Sequence, residues 1–155
     1  MLIPSTISKI EHYCAYQERC HEEVKSKLIA LKVPSDEIDA YLVYLIEHNF
    51  VNEERFACTF ARGKHNIKKW GRLRITNELK FRQISKFNIE TALKEITEKD
   101  YQKNFHELAE KEWNSIKESN PQKKKKKFCD FLYRKGYESH FIFDKLEELG
   151  KMENE

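Results

Sequence analysis

The stretch KKWGRLRITNELKFR (68–82) sets Lys68, Lys69, Arg72, Arg74, Lys80 and Arg82 against a single acid, Glu78. Arg62 and Lys64 stand just upstream, and Lys123, Lys124, Lys125, Lys126 and Lys127 form an unbroken run further on. Guanidinium groups grip carboxylates and phosphates in bidentate fashion, and ammonium groups act on them as point charges. The chemistry on offer is therefore binding of phosphate or of acidic side chains. Lys68, Lys69, Arg72 and Arg74 are the leading contacts on this reading, with Arg62 and Lys64 beside them. The lysine run is a more generic patch, and charge runs in general are solvated faces. Trp70 suits a base stacked on its ring or an apolar staple at a helix start; its place beside Gly71 favours the staple.

Other chemistries find no support. Glu53 and Glu54 are paired as an acid–base couple would be, but they precede Arg55 where a helix begins, and acids there complement the helix dipole. The six histidines show neither HxxxH nor HExxH spacing, and no glycine-rich phosphate loop or GxSxG elbow occurs. Cys14, Cys20, Cys58 and Cys129 lack CxxC spacing, which predicts reduced thiols partly in the core rather than a zinc site or redox pair. No catalytic residue, metal or cofactor is expected, and the chain does not read as an enzyme.

The elements that must position the bases come next. Hydrophobic residues are 39% and charged residues 35% of the 155, so any core is thin and distributed. Four glycines and three prolines are too few for an all-β fold and suit helices joined by short loops. Charge is uneven: residues 1–49 carry 5 basic and 8 acidic groups, 50–98 carry 11 and 6, and 99–155 carry 13 and 12. No apolar stretch could span a bilayer, and MLIPSTISKIEHYC does not read as a signal peptide. A cytoplasmic protein, monomeric and without a membrane partner, is expected.

A repeat underlies the pattern. Val24, Leu28, Val33, Ile38, Leu42 and Leu45 become Ile75, Leu79, Ile84, Ile89, Leu93 and Ile96 on a shift of 51. A further 53 gives Phe128, Leu132, Tyr137, Ile142, Leu146 and Leu149. The steps are helical, and Pro34–Ser35, Ser85 and Ser139 offer helix starts ahead of each second set. With a helix preceding each pair, the reading is all-α: nine helices in three tandem three-helix repeats (1–49, 50–98 and 99–149) with a polar tail at 150–155. Stacked units of this kind make an elongated, curved helical array. In this register Lys68–Arg74 and 121–127 are equivalent helix starts, and 17–23 (QERCHEE) is the third. Lysine crowded at a helix start opposes the dipole, which argues for a binding surface.

The blocks QERCHEEVKSKL (17–28), FVNEERFACTFARGKHNIKKWGRLRITNELK (50–80) and NIETALKEI (88–96) resemble the RecX regulators of the bacterial recombinase RecA. The middle block looks like the family hallmark: Glu53 and Glu54, then Arg55–Phe56–Ala57, then basic residues, then Gly71 opening the next helix. Asn52 and Glu53 stand where many members have aspartates, and KKWGR is similar to the Bacteroidetes branch. Three tandem three-helix units are also that family's fold. The resemblance implies a non-enzymatic modulator that binds the RecA filament on single-stranded DNA and suppresses its ATPase and strand exchange, with the basic helix starts facing filament acids or phosphates. The alternative is a helix-turn-helix-like DNA-binding regulator acting without RecA. The third helices of the units are acid-rich and poor in base-reading arginine, which weighs against it.

Overall fold

The computed structural model describes residues 2–153 and contains, among them, nine α-helices and no strand. They are α1 (Pro4–Tyr16), α2 (His21–Ala30), α3 (Ile38–Glu47), α4 (Glu53–Lys68), α5 (Arg72–Phe81), α6 (Lys86–Leu93), α7 (Glu98–Ser115), α8 (Pro121–Lys135) and α9 (Ser139–Glu153). The chain is thus an all-α array of tandem three-helix repeats. Of the eighteen apolar register positions, all but Val33, Leu93 and Leu146 are buried, and those three are partly so.

Two compact units emerge from the packing. The first takes the residues up to 60 together with 79–92, and the second takes 61–78 and 93 onward. In the first, Ile10, Cys14, Val24, Leu28, Ile38, Tyr41, Leu42, Leu45 and Val51 form one apolar cluster. The second is built on rings: Tyr101 packs against Tyr137 and Phe141, Phe105 against Tyr137, and Trp113 meets Phe128 edge-on. Such pairs add to the apolar burial that holds helices together.

Side-chain caps mark four of the nine helix starts among the described residues. Asn52 accepts from the Arg55 amide, Ser85 from Asn88, Thr97 from Asp100, and Asn120, ahead of Pro121, from Gln122 and Lys123. Two expected starts differ. Pro34 and Ser35 lie in a turn, with Pro34 O accepting from Glu37 N, and α3 begins at Ile38 without a side-chain cap. Ser139 is already inside α9, because Ile142 N donates to Glu138 O, so Glu138 occupies the position ahead of the helix.

The non-helical member of each register set has a definite task. Lys32, Gln83 and Gly136, at equivalent places, all take positive φ (64°, 63° and 97°) after α2, α5 and α8. The next amides, of Val33, Ile84 and Tyr137, donate back to Leu28, Leu79 and Leu132. This is the Schellman stop, in which the residue after the left-handed one bonds to, and packs on, the last turn of its helix. Only the third copy uses glycine there. A lysine or glutamine in this conformation costs about 1 kcal/mol. Lys32→Gly and Gln83→Gly should each raise stability by up to about 1 kcal/mol in chemical denaturation; unchanged or lowered midpoints for both would show that the left-handed turns carry no strain.

Candidate functional site

The basic segment runs from the last turn of α4 into the first of α5, within the second unit. At the end of a helix the last carbonyls lack intrahelical partners, and at the start the first amides do. Here several of each are matched to named partners. Lys68 O accepts from Lys135 Nζ at 2.9 Å, Lys69 O from the Tyr137 hydroxyl at 2.9 Å, and Trp70 O from His65 Nδ1 at 2.9 Å. Gly71 N donates to Lys135 O at 2.7 Å, Arg72 N to the Tyr101 hydroxyl at 2.9 Å, and Leu73 N to Gly136 O at 3.0 Å. The turn itself is tight, with Lys69 at φ 61°.

The start of α5 therefore abuts the end of α8 backbone to backbone. A Cβ on Gly71 would lie 2.4 Å from Gly136 O, and one on Gly136 would lie 2.3 Å from Arg74 Cβ. Gly136 has left-handed backbone as well. Two of the chain's four glycines are required at this one contact.

Arg72 is drawn inward. Its guanidinium lies 3.7 Å above the Tyr101 ring and donates to Glu138 at 2.9 Å and to Glu98. The Tyr101 hydroxyl, which accepts from the Arg72 amide, donates in turn to Glu138. Burial opposes the guanidinium's charge, but the bonds to Glu138 and Glu98 outweigh it and raise its pKa. Burial first, then the bond to Glu138, pushes the Tyr101 phenol far above its ordinary value. That closed ring of donors and acceptors is a structural lock.

The other bases fall into two groups. Arg74 lies 4.2 Å over Trp70 and donates to Arg134 O; Lys64 stands 5.0 Å over the same ring. Two cations of its own chain thus lie against the Trp70 ring, and Arg62 pairs with Glu95 at 2.7 Å. In the lysine run, Lys124 pairs with Glu153 above Trp113, Lys126 with Asp130, and Lys127 with Glu118. Among the described residues, Lys68, Lys69, Lys123 and Lys125 alone of the eleven candidates have no ionic or ring partner for their side chains.

Several residues of this site carry no motif signal. His65 is fully buried, stacked on Tyr101, with Nδ1 toward Trp70 O and Nε2 toward Asn104 Nδ2 at 2.9 Å. A carbonyl can only accept and an amide nitrogen can only donate, so Nδ1 carries the hydrogen, Nε2 accepts, and the ring is neutral. The register relates His65 to Cys14, another core position, and that was the available clue. The hallmark residues around Phe56 are structural too. In the first unit Glu53 accepts from Ser85 N and Asn88 Nδ2 at the start of α6. Arg55 joins Glu18 to Asn49. Among the described residues no cluster of histidine, cysteine, aspartate and glutamate could hold a metal ion, and no helix is long and apolar enough to cross a membrane.

Against known proteins, two family models match: the second three-helix domain of RecX over residues 52–93 and the third over 98–146. The chain belongs to the RecX family. Regulatory protein RecX of Bacillus cytotoxicus is 28% identical over 137 residues, covering 88% of this chain and 51% of that protein. Its namesake in Bacillus anthracis is equally similar, at 28% with the same coverage. The chain thus spans about half the length of the curated relatives it matches. The crystal structure of RecX from Lactobacillus salivarius superposes with a TM-score of 0.76 at 28% identity, covering 96% of this chain and 99% of that one. A second crystal structure, of a regulatory protein RecX, gives 0.82 at 20% identity over 93% of this chain and 72% of that one, a likeness of fold. In this RecX-family chain the models span α4–α6 and most of α7–α9, and so contain the KKWGRL junction whole.

Two tests follow from the junction. Gly71→Ala should lower stability by about 2 kcal/mol, since backbone must move to admit the methyl group. Gly71→Ala and Gly136→Ala combined should cost less than the sum, because both break one contact; additive effects would argue against it. Burial holds the His65 pKa below its ordinary value, chiefly by desolvation. The unfolded chain then binds the proton more readily, so stability is full above the unfolded pKa of about 6.5 and declines as pH falls below it. Denaturation midpoints measured between neutral and mildly acidic pH should show that decline, and His65→Gln should flatten it; equal slopes would contradict a neutral buried ring.

Proposed function

We propose that this protein is a non-enzymatic regulator that binds the RecA filament on single-stranded DNA and lowers its ATP hydrolysis and strand exchange. Membership of the RecX family carries the reading, together with what the hallmark block around Arg55 and Gly71 implies. The basic side chains refine it. Arg72 is bound to carboxylates of its own chain. Lys68 and Lys69 at one helix junction, and Lys123 and Lys125 at the start of α8, keep their charge for a partner. Filament carboxylates or strand phosphates are the complementary groups. Arg62, Lys64, Arg74, Lys124, Lys126 and Lys127 support the positive field around them while holding internal partners.

The deciding experiment is a titration of RecA-catalysed, DNA-dependent ATP hydrolysis with the purified protein. Hydrolysis should fall with added protein, and the protein alone should hydrolyse no nucleotide. Lys68→Glu with Lys69→Glu should weaken filament binding on the order of tenfold. It should leave stability within about 0.5 kcal/mol of wild type, as surface changes do. Unchanged ATPase and strand exchange at saturating protein would overturn the regulatory reading. An unaffected double mutant would overturn the assignment of these lysines.

A further inference from the structure

In the first unit, α1, α2 and the segment between them form a groove of about 560 Å³ whose lining includes Lys9, Arg19, Lys27, Tyr13 and Tyr16 and no carboxylate. Lys9, His12, Tyr13 and Tyr16 recur at helical spacing on one face of α1, and Arg19 and Lys27 close the opposite side. Residues 1–49 are net negative, yet three of their five bases meet here. Of the neighbouring acids, Glu23 alone pairs with a groove cation, Arg19. Glu11 accepts from the Tyr44 hydroxyl, Glu18 from Arg55, and Glu23 from the Cys20 amide while standing 3.8 Å from Arg19.

Inside the groove the groups are unequally tied. Arg19 lies 3.7 Å over Tyr13 and donates Nε to Tyr13 O, and Lys27 stands 5.5 Å from the same ring. Lys9 and Tyr16 have no hydrogen-bond, ionic or ring partner among the described residues, and Tyr16 is 78% exposed. A lone exposed tyrosine means little. One set beside Lys9 and Lys27, which have no carboxylate partner among the described residues, in a cavity the size of a ligand pocket, has the makeup of a single-strand stacking platform. Most of the lining is helix, whose backbone groups are bonded internally, so an extended acidic peptide would find few partners for its own amides. A nucleotide strand needs only cations and a ring.

We propose that the α1–α2 groove binds single-stranded nucleic acid, with one base stacked on Tyr16 and the flanking phosphates on Lys9, Lys27 and Arg19. The site is separate from the KKWGRL junction and does not rest on the RecA reading, since its test contains no RecA. The intact chain is titrated by fluorescence anisotropy with labelled oligothymidylate, an abasic strand of the same length, and polyglutamate. Oligothymidylate should bind more tightly than the abasic strand. Tyr16→Ala should weaken oligothymidylate about five- to tenfold and leave the abasic strand unchanged, whereas Tyr16→Phe should bind like wild type. Lys9→Glu with Lys27→Glu should weaken both strands and flatten the log–log salt slope by about 1.4, or 0.7 per phosphate. Lys25→Glu, on α2 but outside the groove, is the charge control and should do much less. Circular dichroism checks that each variant keeps its helices. Three results would overturn the proposal: oligothymidylate binding unmoved by Tyr16→Ala, a double reversal no stronger than Lys25→Glu, or polyglutamate bound as tightly as the strand.

Discussion

Six consecutive peptide groups govern the second unit. The carbonyls of Lys68, Lys69 and Trp70 and the amides of Gly71, Arg72 and Leu73 are each matched to a specific donor or acceptor on Lys135, Gly136, Tyr137, Tyr101 or His65. Buried helix ends without partners are costly, at about 1–3 kcal/mol for each unmet group. The chain can break its helix between Lys68 and Arg72 because this set exists. The glycine pair, the left-handed Lys69, the neutral His65 and the Tyr101–Glu138 ring all serve that one break.

Charge is organised by the same constraint. The first two amides of α5, of Arg72 and Leu73, are bonded to protein oxygens and are not available to an anion, as they would be in the usual phosphate cradle. Arg72 is likewise committed, to Glu98 and Glu138. What reaches outward is the side chains of Lys68 and Lys69, carried on a turn that the fold holds rigid. A rigid mount matters for a binding protein: ordering cost is met in folding rather than at each encounter. In α8 the division repeats, with Lys124, Lys126 and Lys127 answered internally and Lys123 and Lys125 not.

The helices were legible because burial imposes spacing. Leu28 and Val33, or Leu132 and Tyr137, stand five apart since one closes the last turn of the helix that the other ends, and no other spacing makes that contact. The destination of each charge was not legible. Arg72 meets Glu98 and Glu138 across 26 and 66 residues of chain, and nothing local distinguishes it from Lys69. Pro34–Ser35 resembled a cap by composition, yet the turn beginning at Pro34 displaced the helix start to Ile38. Gly71 reads in sequence as the residue that opens a helix; only the fold reveals that it and Gly136 each exclude a side chain at one shared contact. The α1–α2 groove escaped notice for a related reason. Net charge averaged over a third of the chain hides bases that a helix face gathers on one side.

Hydrogen exchange at the amides of Gly71, Arg72 and Leu73 tests the junction most directly, because each faces a named acceptor rather than the carbonyl of its own helix. In an ordinary exposed helix the first-turn amides exchange rapidly, having no intrahelical partner. If the junction holds the second unit together, these three amides should be protected nearly as long as Leu132 in the core, opening only when the unit unfolds. Exchange at the rate of a frayed helix start, with Leu132 still protected, would mean that the α5 start is not bonded to the α8 end and that the account of the basic segment is wrong.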